Sequence, residues 1–412
     1  MAYGIYEGVG LKLVFLRVFE AFSGVGSQHM ALRNLGLDYE VVGVSEIDTY
    51  AHQAYEAIHG ETKNFGDITK INPNELPDFD LFTYSFPCTA LSTVGQQKGF
   101  EKGSGTSSSL LWECQRLIEG KLPKVLLLEN VKALLSNKFL GGFHEWLAIL
   151  RGLGYTTYYG VLNAKDFGCS QNRERVFAVS IQGDHKPYRF PVGFDSRKIM
   201  SDCLVTSEEE KKYATELQIS RFKYNLKSEG SVHYFGDYKT REDALGLRTR
   251  CLYPSDKVSC LLATDYKCPK MVLESVNFKL PDKLFPSSST NPQAYPFVEY
   301  ERGLREPREV LAKDPSVLWF SEQPQISGFG LFNLEEREEV VSQSMSELPQ
   351  FLTMRNITPE ESWLYMGFSA EDYEKAKAIG LSKLQLYKQA GNSIAVPCLE
   401  ALFREIWNSL EN

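Results

Sequence analysis

Residues 16–36 read "LRVFEAFSGVGSQHMALRNLG". The apolar run from Leu16 to Phe22 ends in Gly24-x-Gly26. It then enters a segment with Met30, Leu32 and Leu35 at helical spacing, which stops at Gly36. A strand that turns on glycines into a helix lets the backbone approach a ligand closely. Ser27, Gln28 and His29 follow, so the three-glycine dinucleotide fingerprint is incomplete. The next apolar run, "YEVVGVSE", ends in Glu46, 20 residues after Gly26. That distance suits an acid accepting hydrogen bonds from ribose hydroxyls. A lone GxG is often only a tight turn. With the acid at this spacing it points to a nucleoside-containing cofactor.

The alternation continues outward. "DTYAHQAYEAIHG" is a helix with Asp48 as N-cap and Gly60 as stop. "FDLFTYS" is a third strand, "SSSLLWECQRLIEG" a helix with a serine cap and "KVLLLEN" a fourth strand. "FHEWLAILRGLG" is a helix, and "YTTYYGVLN" and "RVFAVSIQ" are strands. Strands alternating with helices predict an α/β fold with a Rossmann-like, mostly parallel sheet. The last two strands are joined by about a dozen residues without helical periodicity, so one of them is expected to run antiparallel. After Gln182 the pattern breaks into proline-, serine- and aromatic-rich stretches such as "KLFPSSSTNPQAYPF", with one short acidic helix at "NLEEREEVVSQS". Regular helices return with "TPEESWLYMGF", "SAEDYEKAKAIG" and "VPCLEALFREIWNSL". This predicts a second, smaller and irregular domain.

The chain has 412 residues and a net charge of −8, which argues against bulk attraction to nucleic acid. The charge is uneven. Residues 211–270 hold twelve Lys and Arg against seven Asp and Glu, while the rest hold 33 against 46. A local basic stretch suits a groove for phosphates or a solvated face. The eight cysteines are scattered and form no CxxC pair, so neither a disulfide scaffold nor a metal site is expected. No apolar run reaches the length of a membrane span and no signal-peptide pattern opens the chain. A reducing, intracellular compartment is expected.

Five chemically suggestive residues, Gly24, Glu46, Asp67, Cys88 and Glu129, fall at or just after strand ends. In open α/β sheets those ends face the ligand crevice. Cys88 lies in "SFPCTALS" behind a rigid proline, where a thiol is either packing or a nucleophile. The polar loop after it, residues 89–109, carries four glycines and reads as a mobile lid. Glu129, in "LLLENV", sits at the end of an apolar strand, where desolvation raises a carboxyl pKa and suits it to donate a proton. In "CSQNRERVF", Gln171, Arg173 and Arg175 alternate and project from one face, with Glu174 on the other. Two arginines together can hold a phosphate, a carbonyl oxygen or a developing anion. "QAGNSIAV", 389–396, reads by itself as a polar cap before the last helix.

The segments "FEAFSGVGS", "SEID", "GDI", "SFPC", "ENV", "QNRERVF", "RNITPEESWLYMGF" and "GNSIAV" occur in the order found in one family. The chain resembles the cytosine-5 DNA methyltransferases of bacterial and phage modification systems, over roughly residues 17–181 and 352–405. Each motif alone is weak; the set is specific. The resemblance implies a catalytic, cofactor-binding domain made of residues 1–182 and 384–412, and a target-recognition domain over 183–383.

It also implies roles. Phe22, Gly24 and Gly26 would line S-adenosyl-L-methionine, with Glu46 on its ribose and Asp67 on its adenine. Ile47, Ile68 and Leu110 would supply apolar walls, and Asn392 and Ser393 would close the pocket from the C-terminal end. Cys88 would be the nucleophile, Glu129 the acid at the cytosine ring nitrogen, and Arg173 and Arg175 the stabilising cations. The implied substrate is double-stranded DNA, with the target base flipped out. The implied setting is a monomer in the cytoplasm of a bacterial or phage-infected cell, with a companion restriction endonuclease for the same site. Two departures stand out: Thr89 replaces the family's usual glutamine, and Ser107 replaces a basic residue. "KVSCLLATDYK", 257–267, resembles the family's strand entering the recognition domain. Methylation of a structured RNA cytosine, a catalytically silent DNA-binding relative and a nicotinamide-dependent oxidoreductase are the competing readings.

Overall fold

The computed structural model describes residues 14–88, 90–91, 99, 102–194, 200–205, 224–225, 234–235, 251–252, 258–261, 271–275, 317–319 and 352–410. Strands and helices alternate as β1 (Leu16–Ala21), α1 (Ser27–Leu35), β2 (Tyr39–Ser45), α2 (Thr49–His59), β3 (Leu81–Tyr84), α3 (Leu111–Lys121), β4 (Val125–Val131), α4 (Leu140–Gly152) and β5 (Tyr155–Asn163). A two-residue strand β6 (Gln171–Asn172) and β7 (Glu174–Gln182) complete this half. The C-terminal part adds α5 (Pro359–Leu364), α6 (Ala370–Ala378), α7 (Lys383–Asn392) and α8 (Val396–Leu410).

The main sheet runs in the order Val317–Trp319, β5, β7, β4, β3, β1, β2. All pairings are parallel except those of β7, which runs antiparallel to both β4 and β5. The physical reason is the one expected. Only residues 164–173 link β5 to β7, holding a short 3-10 turn, Ala164–Phe167, but no crossover helix. The order in which strands are added to the sheet reverses between β1 and β3, because β2 lies on one side of β1, and β3 and β4 lie on the other. That switch point opens a crevice at the carboxyl ends of β1 and β3.

Helices cover both faces. Phe19, Phe82, Leu126 and Leu128 pack with Leu117, Phe143 and Trp146 of α3 and α4. Val18, Leu81, Leu127 and Val179 share the other core with Met30 and Leu32 of α1 and with Trp363, Leu386, Leu399 and Phe403 of α5, α7 and α8. The C-terminal helices therefore fold back onto the first half. Arg33 pairs with Asp372 at 2.8 Å, and Trp407 Nε1 donates to the Val14 carbonyl at 3.0 Å.

Two local readings change. The cap before α3 is Thr106 rather than a serine; it accepts from Ser109 N and opens a 3-10 turn, Ser107–Leu110. The stretch around Gly391 and Asn392 is the last turn of α7, not a free polar turn. That helix was not expected from periodicity. The acidic helix expected at 333–344 and ten of the 21 residues of the loop at 89–109, Thr89 among them, lie outside the described residues. Among the described residues no helix is long and apolar enough to cross a membrane.

Candidate active site

The turn after β1 holds three residues with left-handed backbone: Phe22 (φ 56°), Gly24 (φ 57°) and Gly26 (φ 82°). A phenylalanine in that region is strained, which is common where the backbone must face a ligand. Its N–H is fixed on the Ser45 carbonyl at 2.7 Å, tying the turn to the end of β2. Glu46, just past β2, accepts from Gly24 N at 2.9 Å and from Asp48 N at 2.8 Å. Burial pushes its carboxyl up, and those two amides partly offset the shift. Ser23 Oγ is buried here with no hydrogen-bond partner among the described residues. The side chain of Ile47 is 72% exposed at the same end of the sheet.

Asp67 caps a 3-10 turn, Ile68–Lys70, accepting from Thr69 N at 3.0 Å and Thr69 Oγ1 at 2.8 Å. Those bonds hold its carboxyl below the ordinary range. Ile68 lies in the core and Leu110 packs half-buried against it, so of the three apolar walls expected only Ile47 stands open. At the far end of the chain, Asn392 is exposed and Ser393 is buried. Two bonds bring this segment to the same crevice: Lys388 Nζ to Asp48 Oδ2 at 2.6 Å, and Gln389 Nε2 to the Tyr50 carbonyl at 3.0 Å.

Cys88 follows β3 and is half-buried. The backbone around it is pinned: Asn130 Nδ2 donates to the Phe86 carbonyl at 3.0 Å, and Ser108 Oγ donates to the Pro87 carbonyl at 2.5 Å. On the next strand Glu129 is buried, with Oε1 at 3.2 Å from Arg175 Nε. Burial raises the Glu129 carboxyl, against the lowering effect of Arg175, Arg173 and a hydrogen bond from Ser85. Burial and the nearby Glu129 charge likewise push the Cys88 thiol up, while both arginines pull it down.

A model of the C-5 cytosine-specific DNA methylase family matches residues 16–408. The chain belongs to the C-5 cytosine-specific DNA methylase family. This methylase is 31% identical over 447 residues to the type II methyltransferase M2.ScrFI of Lactococcus lactis subsp. cremoris, spanning 96% of this chain and 99% of that one. It is 31% identical over 456 residues to the orphan methyltransferase M.SPBetaI of Bacillus phage SPbeta, with 96% and 98% covered. Among solved structures, the Entamoeba histolytica methyltransferase EhMeth superposes with a TM-score of 0.61 at 15% identity, covering 97% of this chain and all of that one. The Dnmt2 methyltransferase of S. pombe gives 0.56 at 16%, over 94% and 97%. At such identities the likeness concerns the fold alone.

The two arginines of the methylase share Cys260 as a neighbour but differ in their oxygen partners. Arg175, in β7, faces Glu129. Arg173 is buried in the break between β6 and β7. It donates to the carbonyls of Gly391 and Ser393 at 3.0 and 2.7 Å, and of Leu261 at 2.8 Å. It thereby braces the C-terminal segment and the strand at Val258–Ser259 against the centre of the methylase. Glu174 points away, as parity requires, and pairs with Lys132 at 3.0 Å.

Two contributors were not singled out in the sequence. Ser108, one of three consecutive serines, clamps both Pro87 and Ala90 around Cys88, and nothing local marks it out from its neighbours. Cys260 places its sulfur 3.5 Å from Arg173 Nη1 and 3.7 Å from Arg175 Nη2. Its position in "KVSCLLATDYK" was the available signal.

Proposed function

We propose that this methylase transfers a methyl group from S-adenosylmethionine to carbon 5 of a cytosine flipped out of duplex DNA, through a covalent bond between Cys88 and carbon 6. One observation carries the reading. Cys88 and Glu129 stand on adjacent strand ends at the switch point, with Arg175 on the Glu129 carboxylate and the Gly24–Gly26 turn on the neighbouring strand.

The residues of the turn suit the cofactor. Phe22, Gly24 and Gly26 shape its backbone, Glu46 supplies acceptor oxygens for ribose hydroxyls, and the buried Ser23 hydroxyl lacks a partner among the described residues. Ile47 offers an open apolar wall, and Asp67 an acceptor for an amino group. Asn392 and Ser393 reach this end through the bonds of α7. When bound, the sulfonium supplies an electrophilic methyl group.

The chain's own residues then do the following. Cytosine carbon 5 is a poor nucleophile until a thiolate adds to carbon 6. That addition places charge on ring nitrogen 3, where a protonated Glu129 delivers its proton. Burial favours the neutral acid, as this role requires. A neutral Glu129 also removes the like charge that raises the Cys88 thiol, so the pair favours one negative charge beside two cations. Arg175 is the near cation and Arg173 the brace that holds it in a closed site. Loss of the carbon 5 proton and departure of the thiolate complete the cycle. The base must leave the duplex for any of this, at a cost of a few kcal/mol.

We place sequence recognition within residues 183–383, upstream of α5, because α5 packs into the first core. The reading includes a modification enzyme acting as a monomer in a bacterial or phage-infected cytoplasm; the type II relative suits a pairing with an endonuclease for the same site, and the orphan phage relative suits a methylase that acts without one. Methyl incorporation into duplex DNA, with transfer RNA as comparison, tests the proposal. Incorporation into DNA supports it, and incorporation into RNA alone contradicts it.

A further inference from the structure

Beneath the cofactor turn lies a buried polar chain that the reaction does not use. Glu20, on β1, is fully buried, and its Oε2 accepts from the Tyr55 hydroxyl at 2.9 Å. That hydroxyl lies 2.9 Å from His29 Nδ1. His29 stacks on His59 at 4.1 Å between ring centroids, 10° from parallel. His59 Nε2 lies 3.2 Å from the Val25 carbonyl.

The Val25 carbonyl only accepts, so His59 carries its proton on Nε2. When Glu20 is ionised it takes the Tyr55 proton, and the hydroxyl oxygen then accepts from His29 Nδ1. Burial holds both imidazoles neutral, lowering His29 to about 4 and His59 to about 3. The chain runs from Glu20 through Tyr55 and the two imidazoles and ends on the turn. Glu20 Oε1 and His59 Nδ1 are buried without partners among the described residues. Apolar side chains would fill this space without that desolvation cost, so packing alone does not account for the arrangement.

Its end point is specific. The Val25–Gly26 peptide is held on both sides: its carbonyl by His59, its N–H by the Ser23 carbonyl at 2.9 Å. A Cβ on Gly26 would fall 2.5 Å from His59 Nε2 and 2.7 Å from Tyr55 Cε2. The two rings therefore seat the peptide as a floor. A turn with three left-handed residues keeps its shape only when its surroundings over-determine it.

We propose that His59, backed by Tyr55 and His29, is a positioning residue that fixes the Val25–Gly26 peptide and thereby sets the affinity of the turn for S-adenosylmethionine without touching the reacting atoms. This rests on the reading of that turn as the cofactor site. The test combines calorimetric binding of S-adenosylhomocysteine, which needs no turnover, with steady-state kinetics. His59→Leu keeps bulk and loses the donor; His59→Gln restores an N–H.

The leucine variant should raise Kd and the cofactor KM about five- to tenfold, with kcat at saturating cofactor within about twofold. The glutamine variant should return both constants to within about twofold of the parent, on the scale of one restored hydrogen bond. Parent-like binding by the leucine variant overturns the proposal. So does a fall in kcat matching the loss of binding that glutamine does not rescue. Should the leucine variant not fold, Tyr55→Phe carries the test, since it keeps the ring against Gly26; weaker binding supports the proposal and unchanged binding overturns it. An unsubstituted protein that binds no S-adenosylhomocysteine overturns the cofactor reading itself, before any variant is made.

Discussion

Arg175 Nε lies 3.2 Å from Glu129 Oε1, with the two side chains 15% and 11% exposed. One guanidinium thus serves a carboxyl that the proposed reaction uses as an acid. Burial favours the neutral form and the cation the charged one, and burial prevails. Arg175→Met removes the lowering influence, so the Glu129 pKa should rise further. Methyl transfer in a single turnover should fall about 10²–10³-fold, as when a preorganised cation is lost from a developing charge. Glu129→Gln, which cannot deliver a proton, should cost about 10²–10⁴-fold. Rates near the parent in both variants would remove Glu129 from the chemistry.

A second buried pair concerns stability. Arg355 and Glu361 are both fully buried, with Nη2 and Oε1 2.8 Å apart. Glu361 also accepts from Thr358 N at 2.7 Å and Val205 N at 3.0 Å, so one carboxylate joins the start of α5 to the segment at 200–205. Arg355→Met would strand that charge, at a cost of about 3–5 kcal/mol. Urea unfolding should show the loss directly. The double variant Arg355→Met/Glu361→Gln should recover part of it, because no buried charge is left alone.

Glu20 gives the fold a distinct pH dependence. Burial pushes its carboxyl up to about 7 from an ordinary 4.5, and the Tyr55 hydroxyl and His29 amide only partly offset this. Between those values the folded chain keeps a proton that the unfolded chain has lost. The stability contributed is therefore full below about 4.5 and lost as pH rises through about 7, on the order of 3 kcal/mol. His29 and His59 act in the opposite sense, gaining stability as pH rises toward 6.5. Comparison with Glu20→Gln isolates the carboxyl. The stability of the parent minus that of the variant should decline from pH 5 to pH 7.5, and a flat difference would contradict the assignment.

Local chemistry made much of this fold legible. Helix α2 begins and ends at Asp48 and Gly60 because a side-chain cap and a glycine stop are written into adjacent residues. Strand β5 matches its apolar run, Tyr155–Asn163, residue for residue. Helix α7 was missed because its anchoring is tertiary: Lys388 on Asp48 and Gln389 on Tyr50, both over 300 residues away in the chain. Alternation placed Arg173 and Arg175 together correctly, yet gave no hint that Arg173 would bond to carbonyls 218 and 220 residues downstream. Likewise, the end of an apolar strand announced a raised Glu129, whereas Ser108 as the clamp on Pro87 emerges only when the two segments meet.

The central claim is a covalent bond from Cys88 to the target base. Duplex DNA carrying 5-fluorocytosine at the methylated position, incubated with cofactor, should trap the protein, since fluorine cannot leave as a proton does. Digestion and mass spectrometry of the adduct should return the peptide containing Cys88, and Cys88→Ala should form no adduct. An adduct on any other cysteine, or full methylation by the alanine variant, would contradict the account.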